Sequence, residues 1–312
     1  MTYEAEPFRS APWCINGHTH TVLSSLIFSS PSLNTVREKV TTPDDDFLYV
    51  DMLENRPDSA VAVLFHGLEG HSRRYYITQL ADHLYNRGFT VAAVNFRSCA
   101  GEMNRNKKFY HSGETDDLQT VFEWIQKMYP ANKMVAAGFS LGGSALLNYL
   151  KKHKTNHPLF RVAVVSTPFD LKKGSLNLEK GVNRLYSLRF LKTLKKKVIQ
   201  KRVDHPDLPI FNGNTLYDFD DVITGPIHGF EGADHYYSEC SSRFFMDQIS
   251  TPTLVVHSKE DPMCPYKWTP LNEIRKNSAL TACFTDRGGH VGFWGLPPGW
   301  LNRVIGDYFT TG

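Results

Sequence analysis

Along most of the chain, short apolar, β-branched runs alternate with stretches whose apolar residues recur every three or four positions, the pattern of buried strands joined by helices. Residues 61–65 (Val-Ala-Val-Leu-Phe), 90–96, 134–137, 161–166, 253–257 and 280–285 read as strands of a parallel sheet covered on both faces. Residues 75–87 and 116–128 carry helical spacing, and in the second Leu118, Val121, Phe122 and Ile125 share one face. Residues 35–40 and 47–53 flank a polar turn at 41–46 and predict an antiparallel hairpin at the entrance to the sheet. The alternation predicts an α/β fold: a doubly wound, mostly parallel sheet with antiparallel N-terminal strands. The leading segment, interrupted by Pro7, Pro12 and Pro31, predicts no long element.

One interval breaks the rhythm. Residues 168–250 are far more than a crossover between neighbouring strands needs, and they carry helical patterning. They predict a helical lid inserted into a single domain spanning residues 1–312. Within it Leu185, Leu188, Leu191, Leu194 and Val198 recur at helical spacing, with Lys192, Lys195, Lys196, Lys197, Lys201 and Arg202 at the other positions. That predicts an apolar inner face and a solvated basic outer face, which offers at most weak peripheral contact with an anionic membrane surface.

Composition narrows the classes. With 312 residues, 41% of them apolar, the chain is long enough to bury a large core, and a net charge of +3 is too small to imply nucleic acid as a partner. Five scattered cysteines, Cys14, Cys99, Cys240, Cys264 and Cys283, form no Cys-x-x-Cys pair and argue against a disulfide framework or zinc site. The amino terminus lacks the pattern of a secretory signal, and no apolar run is long enough to span a bilayer, so a cytoplasmic location without a membrane anchor is expected. His18 and His20 have the spacing of a ligand pair, but nothing near them in sequence completes a metal site. Their expected role is to hydrogen-bond the leading segment onto the domain, and neither a metal nor a cofactor is called for.

The chemistry centres on Gly138-Phe-Ser-Leu-Gly142, which lies between an apolar β-rich run and a helix-forming run at 145–150. Small residues on either side let the backbone turn sharply enough to hold Ser140 exposed at a strand's carboxyl end. The helix that follows points its partially positive amino end at the same spot, which favours an anion there and suits acyl transfer. A neutral hydroxyl is a poor nucleophile, so a base must stand beside it and a third group must fix the tautomer of that base. After the strand at 253–257 comes Ser258-Lys-Glu-Asp-Pro262, and after the strand at 280–285 comes Asp286-Arg-Gly-Gly-His-Val-Gly292, whose flexible glycines are expected to let His290 reach across. Glu260, Asp261 and Asp286 all qualify as the acid; Asp261 is preferred because a short side chain just before Pro262 is held more rigidly. The order Ser140, Asp261, His290 is that of a nucleophile-elbow hydrolase. Its oxyanion needs main-chain donors, expected at the amides of Leu141 and Leu68.

Several motifs together, His66-Gly-Leu-Glu-Gly-His-Ser72, Asn95-Phe-Arg-Ser-Cys-Ala-Gly-Glu-Met-Asn104, His111-Ser-Gly-Glu-Thr-Asp-Asp117, Gly138-Phe-Ser-Leu-Gly-Gly143, Tyr236-Tyr-Ser-Glu-Cys-Ser-Ser242, Asp261-Pro262 and Gly288-Gly-His-Val-Gly-Phe293, resemble the YheT-type branch of the α/β-hydrolase superfamily over nearly the whole chain. The resemblance implies the α/β-hydrolase fold and a carboxylesterase whose charge-relay triad maps onto Ser140, Asp261 and His290. Its implied partner is a small-molecule ester, and the Leu, Phe and Tyr content of the lid suggests an apolar acyl group. The segment Gly17-His-Thr-His-Thr21 departs from the family, which commonly has Gln where this chain has His20. A thioesterase or acyltransferase would use the same triad, a binding protein the same fold without turnover, and a metal hydrolase would have to run through His18 and His20.

Overall fold

The structure, a computed structural model, describes residues 3–311. Strands without polar alternation need cover on both faces, and the sheet supplies it. Eight strands, β1 (Val36–Thr41), β2 (Phe47–Leu53), β3 (Val61–Phe65), β4 (Thr90–Asn95), β5 (Met134–Phe139), β6 (Leu159–Val165), β7 (Thr253–Ser258) and β8 (Leu280–Thr285), form one sheet in the order β1-β2-β4-β3-β5-β6-β7-β8. The pairs β1–β2 and β2–β4 are antiparallel, and every later pair is parallel. Every residue of β3, β4, β5 and β7 is buried.

Ahead of the sheet comes α1 (Gly17–Ile27), a helix at odds with the expectation of no long element there. Its start is fixed by a capping box: Asn16 Oδ1 accepts from Thr19 N at 2.9 Å, and Thr19 Oγ1 accepts from Asn16 N at 3.1 Å. The prolines 7, 12 and 31 lie outside it. His20 is buried and does tie the leading segment down, pairing with Ser10 Oγ at 3.0 Å and accepting from Trp294 N at 3.3 Å.

Two helical layers cover the sheet. On one face α2 (Tyr75–Asn86) and the C-terminal α11 (Trp300–Thr310) bring Leu80, Leu84, Val304 and Ile305 against Leu64, Val135 and Val256. On the other face α3 (Asp116–Met128) and α4 (Leu141–His153) bring Val121, Phe122 and Leu146 against Val63, Ala136 and Val164. Each fully buried side chain of this kind contributes about 1.5–3 kcal/mol. The segment between β6 and β7 holds α5 (Leu171–Leu178), α6 (Arg184–Lys201), α7 (Leu216–Phe219), α8 (Gly225–Ile227) and α9 (Ala233–Cys240), and α10 (Leu271–Lys276) links β7 to β8. Among the described residues, no helix is long and apolar enough to cross a membrane.

The helix α6 departs from the expected division into apolar and basic faces. Leu191, Leu194 and Val198 are buried, but Leu185 and Leu188 are 67% and 45% exposed, and Lys197 and Lys201 turn inward. At helical spacing Lys197 and Lys201 lie three residues beyond Leu194 and Val198, on the same face. The body of the protein satisfies both ammonium groups: Lys201 Nζ donates to Asn104 O, Asn104 Oδ1 and Asn106 O at 2.5, 2.8 and 2.7 Å, and Lys197 Nζ reaches Glu69 Oε1 at 2.6 Å.

Candidate active site

Ser140 sits where β5 turns abruptly into α4, with φ of 53° and ψ of −118°. A non-glycine residue at positive φ is strained, and the neighbouring bonds hold it there: Ser140 N donates to Val165 O at 2.8 Å, and its carbonyl accepts from Gly143 N and Ser144 N at 2.9 and 3.1 Å. The loop after β3 passes close over this turn. At Gly67 a Cβ would stand 3.1 Å from Ser140 Cβ, tighter than ordinary packing allows.

The loops after β7 and β8 deliver two further side chains to Ser140. His290 Nε2 lies 2.8 Å from Ser140 Oγ, and His290 Nδ1 lies 2.9 Å from Asp261 Oδ2. Burial alone would raise the Asp261 carboxyl, but the charge and hydrogen bond of His290, with help from the Cys264 amide, hold it below its ordinary value. The ionised carboxylate accepts the Nδ1 proton, which leaves Nε2 with a lone pair facing the serine hydroxyl. Asp261 Oδ1 also accepts from Met263 N and Cys264 N at 2.9 Å each, which pins the carboxylate to the turn that follows it. The competing acids go elsewhere: Glu260 pairs with Arg287 at 3.2 Å and Asp286 with Lys259 at 2.6 Å.

In the loop after β3, His66 is fully buried and its Nε2 accepts from Phe96 N at 3.2 Å, which puts the ring proton on Nδ1 and into a 2.7 Å bond with Gly67 O. Burial pushes its pKa down to about 3, so the ring stays neutral. Gly67 N donates to the Tyr76 hydroxyl at 3.1 Å and Glu69 N to the Tyr110 hydroxyl at 2.8 Å. Between them, the N–H of Leu68 has no acceptor among the described residues, and neither has that of Leu141. Both residues line the same cavity as Ser140 and His290.

That cavity is apolar, walled by Leu171, Leu178, Phe190, Leu194, Leu216 and Phe219, mostly from the β6–β7 segment. A second cavity opens from Ser140 on the α1 side. His111 and His228 in the wall of the first belong to a polar cluster to which the sequence motifs assigned no chemistry. His111, Glu114 and His228 bring one possible ligand atom each within 4.8 Å of one another, and the two imidazole rings are 4.4 Å apart. The His-x-x-Glu spacing was the available signal. His111 Nδ1 accepts from Gly113 N at 3.2 Å, which places its ring proton on Nε2, the atom facing Glu114, so no lone pair there is free for a cation. His18 and His20 are drawn apart instead of forming a ligand pair, His18 bonding the Tyr186 hydroxyl at 3.1 Å while His20 faces Ser10.

The chain matches the model of a protein family described as the alpha/beta hydrolase fold over residues 61–295. The Escherichia coli (strain K12) protein YheT, an esterase by name, is 34% identical to it, with 95% of this chain and 91% of that protein covered. A human phospholipase, ABHD3, is 27% identical, with 97% of this chain and 78% of that protein covered. Among solved structures, the Pyrococcus furiosus esterase Pf2001 superposes with a TM-score of 0.60 at 15% identity, covering 89% of this chain and 92% of the other.

Proposed function

This chain belongs to the alpha/beta hydrolase fold family, and from that premise we propose that it hydrolyses carboxylic esters with Ser140 as nucleophile, His290 as base and Asp261 as the group that orients the base. The observation that carries the reading is the unbroken chain of hydrogen bonds from Ser140 Oγ through His290 to Asp261, at 2.8 and 2.9 Å, on the wall of an apolar cavity. The esterase name of a relative 34% identical to the chain supports it.

In the proposed reaction His290 Nε2 takes the proton of Ser140 as Oγ attacks the ester carbonyl, and Asp261 stabilises the imidazolium that results. The charge that develops on the carbonyl oxygen is received by the amides of Leu141 and Leu68, the two donors left without acceptors. Each such donor is typically worth about 2.7–4 kcal/mol of transition-state stabilisation. The ester bond then breaks, the alcohol leaves with the proton from His290, and water, deprotonated by the same imidazole, releases the acid from Ser140. The apolar cavity receives the acyl group, and the β6–β7 segment at residues 168–250 is its lid.

A fluorophosphonate probe tests the reading directly. Covalent labelling of the wild type that disappears in Ser140→Ala, together with turnover of p-nitrophenyl esters in a series from acetate to palmitate, is the expected result. An intact protein that neither labels nor turns over any ester in that series would instead be a binding protein built on this fold.

A further inference from the structure

Ser140 and His290 stand at the junction of two cavities, of which the second is the more polar. The first is the apolar one. The second lies between α1, the loop after β3, the start of α2 and the first half of α6, and beside Leu26, Phe28 and Phe190 it is lined by Arg73, Arg74, Arg189 and His71. Its acidic side chain, Glu69, is already paired with Lys197 at 2.6 Å. Among the described residues none of the three arginines is paired with a carboxylate, and the guanidinium bond the structure gives them is Arg74 Nη2 to Glu69 O at 3.1 Å. His71 Nδ1 accepts from Arg73 N at 3.2 Å, so its proton is on Nε2 and the ring offers a neutral donor.

Three guanidinium groups around one cavity, with no free carboxylate opposite them, make a field that concentrates anions. Their planar forks match the paired oxygens of a phosphate or carboxylate better than any neutral group. An ester cleaved at Ser140 has two halves, and the two cavities divide them: the first, with almost no polar wall, suits an acyl chain, which leaves the one that carries the arginines for the alcohol. Resting on the esterase reading above, we propose that the alcohol portion of the substrate carries an anion, a phosphate or a carboxylate, held by Arg73, Arg74 and Arg189.

The test compares matched pairs: 1-octanoylglycerol 3-phosphate against 1-octanoylglycerol, and octanoyl lactate against octanoyl lactamide. The expected result is a kcat/KM ratio of anionic to neutral substrate of about tenfold or more, which shrinks as salt rises and falls toward one in the double variant Arg73→Gln, Arg189→Gln. Preference within the phosphate pair alone identifies a phosphate, and within the lactate pair alone a carboxylate. A ratio near one in both pairs overturns the proposal, as does a ratio that the double variant leaves unmoved. Calorimetric titration with glycerol 3-phosphate and with lactate reads anion binding without turnover. Anion binding that the double variant loses, in a protein that cleaves no ester, sinks the esterase reading and leaves the subsite standing. Neutral esters cleaved without anionic preference or anion binding sink the subsite alone.

Discussion

His290 and Thr21, 269 positions apart, are joined by a hydrogen bond: the main-chain N–H of His290 donates to Thr21 Oγ1 at 2.9 Å, and the same hydroxyl donates to Gly17 O at 2.7 Å. The leading helix therefore holds the backbone of the residue proposed as base. Its approach depends on Gly289, where a Cβ would stand 2.5 Å from Thr21 Oγ1. Replacing the hydroxyl with a methyl of the same shape, Thr21→Val, leaves the buried His290 N–H unpartnered and costs about 1–3 kcal/mol. A lower urea midpoint and a several-fold lower kcat on p-nitrophenyl butyrate are expected. An unchanged kcat would mean that Ser140 and Asp261 alone keep the imidazole in place.

Three carboxylates compete in the sequence for the role beside His290, and their partners separate them. Only Asp261 reaches the imidazole, while Glu260 and Asp286 are taken up by Arg287 and Lys259. Asp261→Asn offers Nδ1 an amide in place of a carboxylate and favours the wrong tautomer, so kcat should fall by roughly 10³- to 10⁴-fold. Glu260→Gln and Asp286→Asn break pairs that are at least partly exposed and worth about 1 kcal/mol, and both should stay within about twofold of wild type. A loss from Asp286→Asn as large as that from Asp261→Asn would refute the assignment.

The sheet was legible in the sequence because strands buried on both faces cannot disguise their composition, and Val61–Phe65 or Met134–Phe139 show unbroken apolar runs. The meeting of Ser140, Asp261 and His290 was legible for a related reason, since each follows the carboxyl end of a parallel strand. The helix α1 was not. Its Thr, His and Ser residues have low helix propensity, and what holds it is a capping box and packing against residues nearly 270 positions away. The glycines around His290 read as freedom for the loop, yet at Gly289 the requirement is close contact with Thr21. The inward lysines of α6 were hidden too, because a lysine turns inward only where oxygens await it, and those of Glu69, Asn104 and Asn106 lie about a hundred residues upstream.

Asp220 lines the apolar cavity and accepts from the Tyr237 hydroxyl at 2.7 Å. Burial pushes its pKa up to about 6 from an ordinary 3.8. Between those values the folded protein keeps a proton that the unfolded chain has released, so stability falls as pH rises through the window and the full cost is present above it. Asp220→Asn removes the ionisation and retains an acceptor for Tyr237. Its melting temperature should exceed that of the wild type at pH 7.5, by the equivalent of about 1–2 kcal/mol after allowance for exposure to the cavity, and the gap should close toward pH 4. A gap that is constant with pH would show that packing, not charge, sets the effect.

The pair between Lys197 on α6 and Glu69 in the loop after β3 connects the β6–β7 segment to the stretch that carries the Leu68 amide. Burial works against the lysine's charge, but Cys99 and Glu69 outweigh it and raise the pKa of Lys197, so the ammonium persists. Glu69 itself is held at a φ of 53° and accepts from the Tyr110 hydroxyl at 2.8 Å. Lys197→Met leaves a mostly buried carboxylate without its cation, and the loop has to shift to hydrate it, at a cost of about 1–3 kcal/mol given the partial exposure of the lysine. A displacement of about 1 Å at Leu68 is enough to lower kcat by roughly tenfold or more. The second substitution in Lys197→Met, Glu69→Gln removes the stranded charge while keeping the acceptor for Tyr110, so the double variant should recover most of the lost stability. Urea midpoints of both single variants and the double give the coupling energy. A value near zero would mean that the two side chains touch without holding the loop.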